Sequence, residues 1–172
     1  MKLTQHNVFG WVFHKGSVEA GEKFHLESRH ASSPDRMSAQ TIYTKGRITG
    51  HKVNDPSFVA AERKAGFGND LLPNPVPALT MLMTTQEYSE WWCVSLPANT
   101  SLPAVEYIRL APNESMSISN GDLIFICDGT ASFSGSVVNG PTAVRVTNAS
   151  ELVAVNAPVY GMRLDRENIS LT

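Results

Sequence analysis

The sequence of 172 residues predicts an all-β chain folded as an antiparallel β-sandwich or barrel, and three observations carry that reading. Turn signals recur through the C-terminal half at Pro112-Asn113, Asn120-Gly121, Asp128-Gly129, Asn139-Gly140, Asn148 to Ser150 and Asn156 to Pro158. Reversals spaced ~8–12 residues apart mark antiparallel sheets that pack face to face or close on themselves. Asn-Gly and Asp-Gly suit such places because a tight hairpin needs positive φ, which Gly adopts freely and Asn or Asp tolerate. The segments between the turns have strand length and strand pattern. The composition, 42% apolar against 17% charged, supplies a core and excludes a disordered chain.

Taken in order, strands are expected over Val8 to Phe13, Phe24 to Arg29, Gln40 to Thr44 and Arg47 to Val53, the last two joined at Lys45-Gly46. Asn54-Asp55-Pro56 opens a short helix over Ser57 to Ala65. Gly66, Gly68, Pro73, Pro75 and Pro77 then forbid regular structure, so 66–78 reads as a surface loop and 54–80 as a proline-rich loop insertion. Thr84-Thr85-Gln86-Glu87 fits a capping box, while Tyr88 to Val94 fits an aromatic strand equally well. About six strands follow from Ala104 to Leu164. Glu114 to Ser119 alternates apolar with polar, as a strand with one wet face must. Asp122 to Cys127 is nearly all apolar, as in a central strand buried on both faces. Val144 and Val146 alternate with Arg145 and Thr147, Leu152 to Val155 is apolar, and Val159 to Leu164 closes the series, leaving 165–172 as a tail.

Length alone favours a single domain over 1–172. Fourteen basic and sixteen acidic residues leave a net charge of −2, which gives no basic surface for a phosphate backbone, so nucleic acid is not expected as a partner. No apolar run reaches the ~18–20 residues of a membrane helix, and Met1 to Asn7 lacks an export signal's pattern. A protein made in the cytoplasm, without a membrane span, is expected. Cys93 and Cys127 are too few for a disulfide scaffold and sit in apolar surroundings, as reduced core thiols do.

Leu110-Ala111-Pro112-Asn113-Glu114, then Gly121-Asp122 leading into Leu123 to Ile126, then Gly129, resembles the cupin jelly-roll superfamily. There a Pro-Gly-Glu-like turn leads through a short strand into a Gly-Asp turn and an apolar strand. Glu151 to Pro158 looks like the closing strand of the same barrel. The resemblance covers 104–164, and 8–53 more loosely. It implies a cupin-like jelly-roll antiparallel β-sandwich or barrel with one long proline-rich loop. Independently of the family, a glycine makes the turn, the aspartate ties it through backbone amides, and the apolar strand enters the core.

Metal-holding cupins use a His-x-His pair, a Glu and a further His from the second half, because imidazoles and a carboxylate must converge on one ion. All five histidines, His6, His14, His25, His30 and His51, lie in the first third. His25 and His30 are five residues apart, an odd separation that sends them to opposite faces of an unbroken strand. No metal and no cofactor is therefore expected. Metal-free cupins, such as sugar epimerases and isomerases, pair a general base with an orienting acid, for which His51 with Asp55, or His25 with Asp122, are formal candidates. His25, Glu27 and Arg29 would share one strand face. With Tyr107 they form the alternative site, at the barrel mouth, of a metal-free enzyme or a binder of a sugar-like or acidic molecule.

Tyr88-Ser89-Glu90-Trp91-Trp92 is the locally unusual stretch. Adjacent tryptophans on a strand face opposite sides, so one must leave its own core, and Tyr88, Trp91 and Trp92 are expected at a subunit interface. The leading expectation is a non-catalytic, oligomeric structural or binding protein. A virion part of a phage or other virus, decorating the capsid or tail, would suit it, with homo-oligomers or other structural proteins as partners and the 54–80 loop as an arm.

Overall fold

The computed structural model describes residues 1–27, 29–30, 33–52, 61–69, 80–97 and 105–164. Every regular element among them is a β-strand, and every strand pair is antiparallel. Contacts divide the chain into two compact units, Met1–Leu102 and Pro103–Thr172.

The first unit contains β1 (Lys2–Val8), β2 (Trp11–Val18), β3 (Lys23–Glu27), β4 (Arg29–His30), β5 (Ser33–Lys45), β6 (Arg47–Lys52), β7 (Ala61–Lys64), β8 (Gly68–Asn69), β9 (Thr80–Thr85) and β10 (Ser89–Pro97). One sheet runs β1-β2-β10-β5-β4 with β8 also on β5, and the other runs β3-β9-β6-β7. The pairs are nested: β2 with β10, β3 with β9, β5 with β8, β6 with β7. A long hairpin rolled into two sheets has this wiring, which is that of a jelly roll. Val18, Tyr43 and Trp91 from one sheet meet Phe24, Ile48 and Met83 from the other in the core. The first sheet is buried on its other face too, where Phe13, Ile42, Trp92 and Val94 lie.

The second unit repeats the wiring. Its strands are β11 (Val105–Leu110), β12 (Ser115–Ile118), β13 (Leu123–Asp128), β14 (Thr130–Phe133), β15 (Ser136–Asn139), β16 (Thr142–Arg145), β17 (Ser150–Ala154) and β18 (Val159–Leu164). The sheets run β11-β18-β13-β16 and β12-β17-β14-β15, with β11 on β18, β12 on β17, β13 on β16 and β14 on β15. Ile108, Ile124, Ile126 and Val159 from one sheet pack on Ile118, Ala131, Leu152 and Ala154 from the other. The strand expected to be buried on both faces is so: Leu123 through Cys127 are all buried.

Several local expectations change. Val8 to Phe13 is not one strand, because Phe9 (φ 48°) and Gly10 (φ 83°) form the hairpin between β1 and β2. The helix expected over Ser57 to Ala65 is replaced, at Ala61–Lys64, by β7, where pairing with β6 overrides the helical preference of Ala-Glu-Arg-Lys. The supposed loop holds β8 as well, so these parts of 54–80 pair within their own unit; 54–60 and 70–79 lie outside the described residues, as does the 165–172 tail. Tyr88 to Val94 resolves as strand, and Thr85 ends β9 by donating to Arg47 O at 2.9 Å and accepting from Glu87 N at 3.3 Å. The second unit has eight strands, not about six, because Ser134 (φ 47°) and Gly135 (φ 78°) turn β14 into β15.

Candidate functional site

The interior of the first unit carries the chemistry. Register places Val18, Gly16, Trp91 and Tyr43 on the core-facing side of the first sheet. Gly16 is required there: a Cβ would lie 2.1 Å from the Trp91 ring. The indole so admitted stacks on Phe24, centroids 5.3 Å apart and planes 3° apart, and lies 6.4 Å from the Tyr43 ring. On the opposing sheet, β7 sets Arg63 directly across from fully buried Ile48, so Arg63 shares the core-facing side while its neighbours Glu62 and Lys64 are exposed. Arg63 is 6% exposed, and its Nε and Nη1 are buried without a hydrogen-bond partner. Its guanidinium lies 5.9 Å from the centre of the Phe67 ring, which in turn meets Tyr43 edge-on at 6.1 Å. Burial pushes the Tyr43 phenol up to about 12 against the lowering effect of the Arg63 charge, so the hydroxyl keeps its proton.

A second cluster lies on the other side of the first sheet. Glu90, almost fully buried, accepts from Lys15 Nζ at 2.8 Å and from the Tyr88 hydroxyl, with Lys45 Nζ at 3.4 Å. Burial raises the Glu90 carboxyl, but the Lys15 and Tyr88 hydrogen bonds and the two lysine charges outweigh it and hold it below its ordinary value. The same hydrogen bond, with burial second, raises the Tyr88 phenol. This is a satisfied clamp. A third feature is a groove of about 460 Å³ on the outer face of the β3-β9-β6-β7 sheet, between Arg47, Thr49, Glu62, Thr84, Gln86 and Glu87, where Arg47 Nε pairs with Glu62 at 3.2 Å.

The residues expected from sequence are scattered. His25 and Glu27 belong to β3, opposite Leu82 and Thr80, whereas Arg29 belongs to β4 in the other sheet, so the three do not share one strand face. The chain leaves one sheet for the other between them. Tyr107 belongs to β11 of the second unit, with the Arg109 guanidinium 5.2 Å above its ring. His30 is in β4 and His51 in β6, while Asp55 lies outside the described residues. Asp122 ties its turn by accepting from Ser119 N at 2.9 Å, the role its Gly-Asp setting implies. Trp91 (4% exposed) and Trp92 (1%) are both buried within the chain, because both faces of their sheet are covered, so neither ring is available to a second subunit; Tyr88 alone of the three is exposed. Cys93 and Cys127 are buried thiols. Among the described residues no three His, Cys, Asp or Glu side chains gather as a metal would need. Arg63 escaped the sequence reading because Ala-Glu-Arg-Lys was assigned to a helix; read as a strand, its alternation would have set Arg63 opposite in facing to Glu62 and Lys64.

No protein-family model and no curated protein matches the sequence. Solved structures do resemble it. The conserved protein of unknown function PA5104 from Pseudomonas aeruginosa PAO1 aligns over 91% of this chain and 82% of its own at 14% identity, with a TM-score of 0.50. A Cupin 2 conserved barrel domain protein from Leptotrichia buccalis aligns over 95% and 88% at 11% identity, with a TM-score of 0.43. The fold is a jelly roll, as the nested antiparallel pairing of both units shows. At these identities the likeness concerns the path of the backbone only.

Proposed function

We propose that this jelly-roll protein is a non-catalytic assembly unit that joins copies of itself, serving as a structural part of a virion, on the capsid or tail. The supporting observation is the outer edge of β1. Among the described residues β1 ends its sheet and pairs with β2 alone, so one row of its backbone N–H and C=O groups has no neighbouring strand. Six large apolar side chains are exposed among the described residues, and half of them are here: Met1 just ahead of the strand, Leu3 on it and Phe9 in its turn. An exposed edge with apolar side chains is a template for a strand from another chain. Two copies of β1 laid antiparallel satisfy both edges around one two-fold axis. The virion setting rests on fold-level analogy, since jelly rolls serve many tasks. A second reading, a binder of a small acidic molecule, is favoured by Arg63.

Light scattering over a concentration series tests the assembly. The wild type is expected to form a discrete oligomer, and Leu3→Lys, which sets like charges against each other on paired edges, to shift it to monomer with an unchanged β spectrum. A wild type that stays monomeric at high concentration, or an oligomer indifferent to Leu3→Lys, overturns the reading.

A further inference from the structure

We propose that the first unit holds a small anionic ligand, one bearing a carboxylate or phosphate group, on the Arg63 guanidinium beside Phe67. Arg63 stands opposite Ile48, on the side of β7 that faces the core, and is nine-tenths buried. A guanidinium keeps its charge at any working pH, so it cannot escape burial by losing a proton. It needs acceptors, and its Nε and Nη1 have none.

The described carboxylates nearest in sequence or in the unit are engaged elsewhere. Glu62 faces outward and pairs with Arg47 at 3.2 Å, and Glu90 is clamped by Lys15 and Lys45. The guanidinium meets an aromatic ring instead. The Phe67 ring at 5.9 Å contributes a cation–π contact, which stabilises the charge without offering a lone pair to the N–H groups. Tyr43, buried and protonated, is a potential donor and adds no negative charge. A cation with unused donors beside a protonated phenol is a setting that an oxyanion completes, because no described group there brings a negative charge to the guanidinium. Phe67 is 36% exposed and marks the solvent side of the site, while its backbone is held by Phe67 N donating to Lys64 O and Tyr43 N donating to Phe67 O, both at 2.9 Å. The phosphate and the carboxylate share this chemistry, and the probes separate them.

Thermal denaturation is followed at fixed pH and ionic strength with sodium chloride, inorganic phosphate or sodium succinate as the salt. The wild type is expected to show a saturable rise in midpoint with phosphate or succinate over chloride, and Arg63→Met, which keeps the length and apolar stem, to lose it. The salt giving the larger shift identifies the class. Equal shifts in wild type and Arg63→Met would mark a general surface effect and overturn the proposal, as would no shift in the wild type with either anion. Should Arg63→Met fail to fold, Arg63→Lys, which keeps the charge but not the planar fork, is expected to weaken the anion response about tenfold; an unchanged response there overturns the proposal equally.

Discussion

In both units a glutamate ties the turn that follows the first core strand: Glu22 Oε2 accepts from Glu19 N at 2.8 Å before β3, and Glu114 Oε2 from Ala111 N at 2.8 Å before β12. The residue ahead of each glutamate has positive φ, Gly21 at 82° and Asn113 at 66°. With the same nested strand pairing around them, the two units are variations on one scaffold. Their interiors differ. The second is filled by branched aliphatics and alanine, whereas all six buried polar or charged residues among those described, His14, Thr44, Arg63, Thr85, Ser89 and Glu90, belong to the first. Burying a polar group without a partner costs stability, and the second unit shows that this wiring closes well without any. The polar interior of the first unit is therefore not a requirement of the fold.

The largest test of that contrast is removal of the anchor in each core. Trp91→Ala deletes the ring that stacks on Phe24 and faces Tyr43, and should cost ~3–5 kcal/mol in denaturant melts; Ile126→Ala in the second unit should cost ~2–5 kcal/mol. A loss for Trp91→Ala under ~2 kcal/mol would mean that polar contacts, rather than stacked rings, hold the first unit together.

The same contrast decides how much could be read from the chain. The second unit announces itself because Asn120-Gly121 and Asp128-Gly129 are turn pairs and Leu123 to Cys127 is an unbroken apolar run. Only the Ser134-Gly135 turn escaped, since serine is a weaker signal for positive φ. In the first unit the signals mislead. Phe9 at φ 48° is a poor advertisement for a hairpin, and Ala61 to Lys64 has helical composition although its partners draw it into a sheet. The repeat itself is hidden because Glu22 and Glu114 share a role while Glu19-Ala20-Gly21 and Ala111-Pro112-Asn113 share almost no residues. The candidate site inherits that opacity: Arg63 becomes visible once β7 is known to be a strand and its register with Ile48 is fixed.

A smaller effect sharpens the contrast through pH. Glu90→Gln removes the carboxylate from between Lys15 and Lys45, whose partly exposed ammonium groups rehydrate, so a cost at the low end of the range for a lost buried partner, ~1–2 kcal/mol, is expected. The Glu90 carboxyl is held below its ordinary value in the folded state. Its contribution is thus complete above the unfolded glutamate value of ~4.3 and is lost as pH falls through the lower folded value. Chemical melts from neutrality to acid should show the wild type losing its advantage over Glu90→Gln in that acid window. An advantage that persists at the acid end would place the clamp's contribution in packing rather than charge.

The smallest expected effect asks whether the two turns are interchangeable. At Gly21 a Cβ would meet nothing within 4 Å, so a substitution there is opposed by backbone conformation alone. Gly21→Ala forces an L-residue to φ 82° and should cost ~1 kcal/mol. Gly21→Asn instead brings in the residue that the second unit uses at the same place, where Asn113 adopts φ 66° with its glutamate bond intact. Because the short amide side chain tolerates that region, the variant should stay within ~0.5 kcal/mol of wild type by chemical melts. If Gly21→Asn costs as much as Gly21→Ala, the first turn needs its glycine for something other than φ, and the resemblance between the two turns ends at the hydrogen bond.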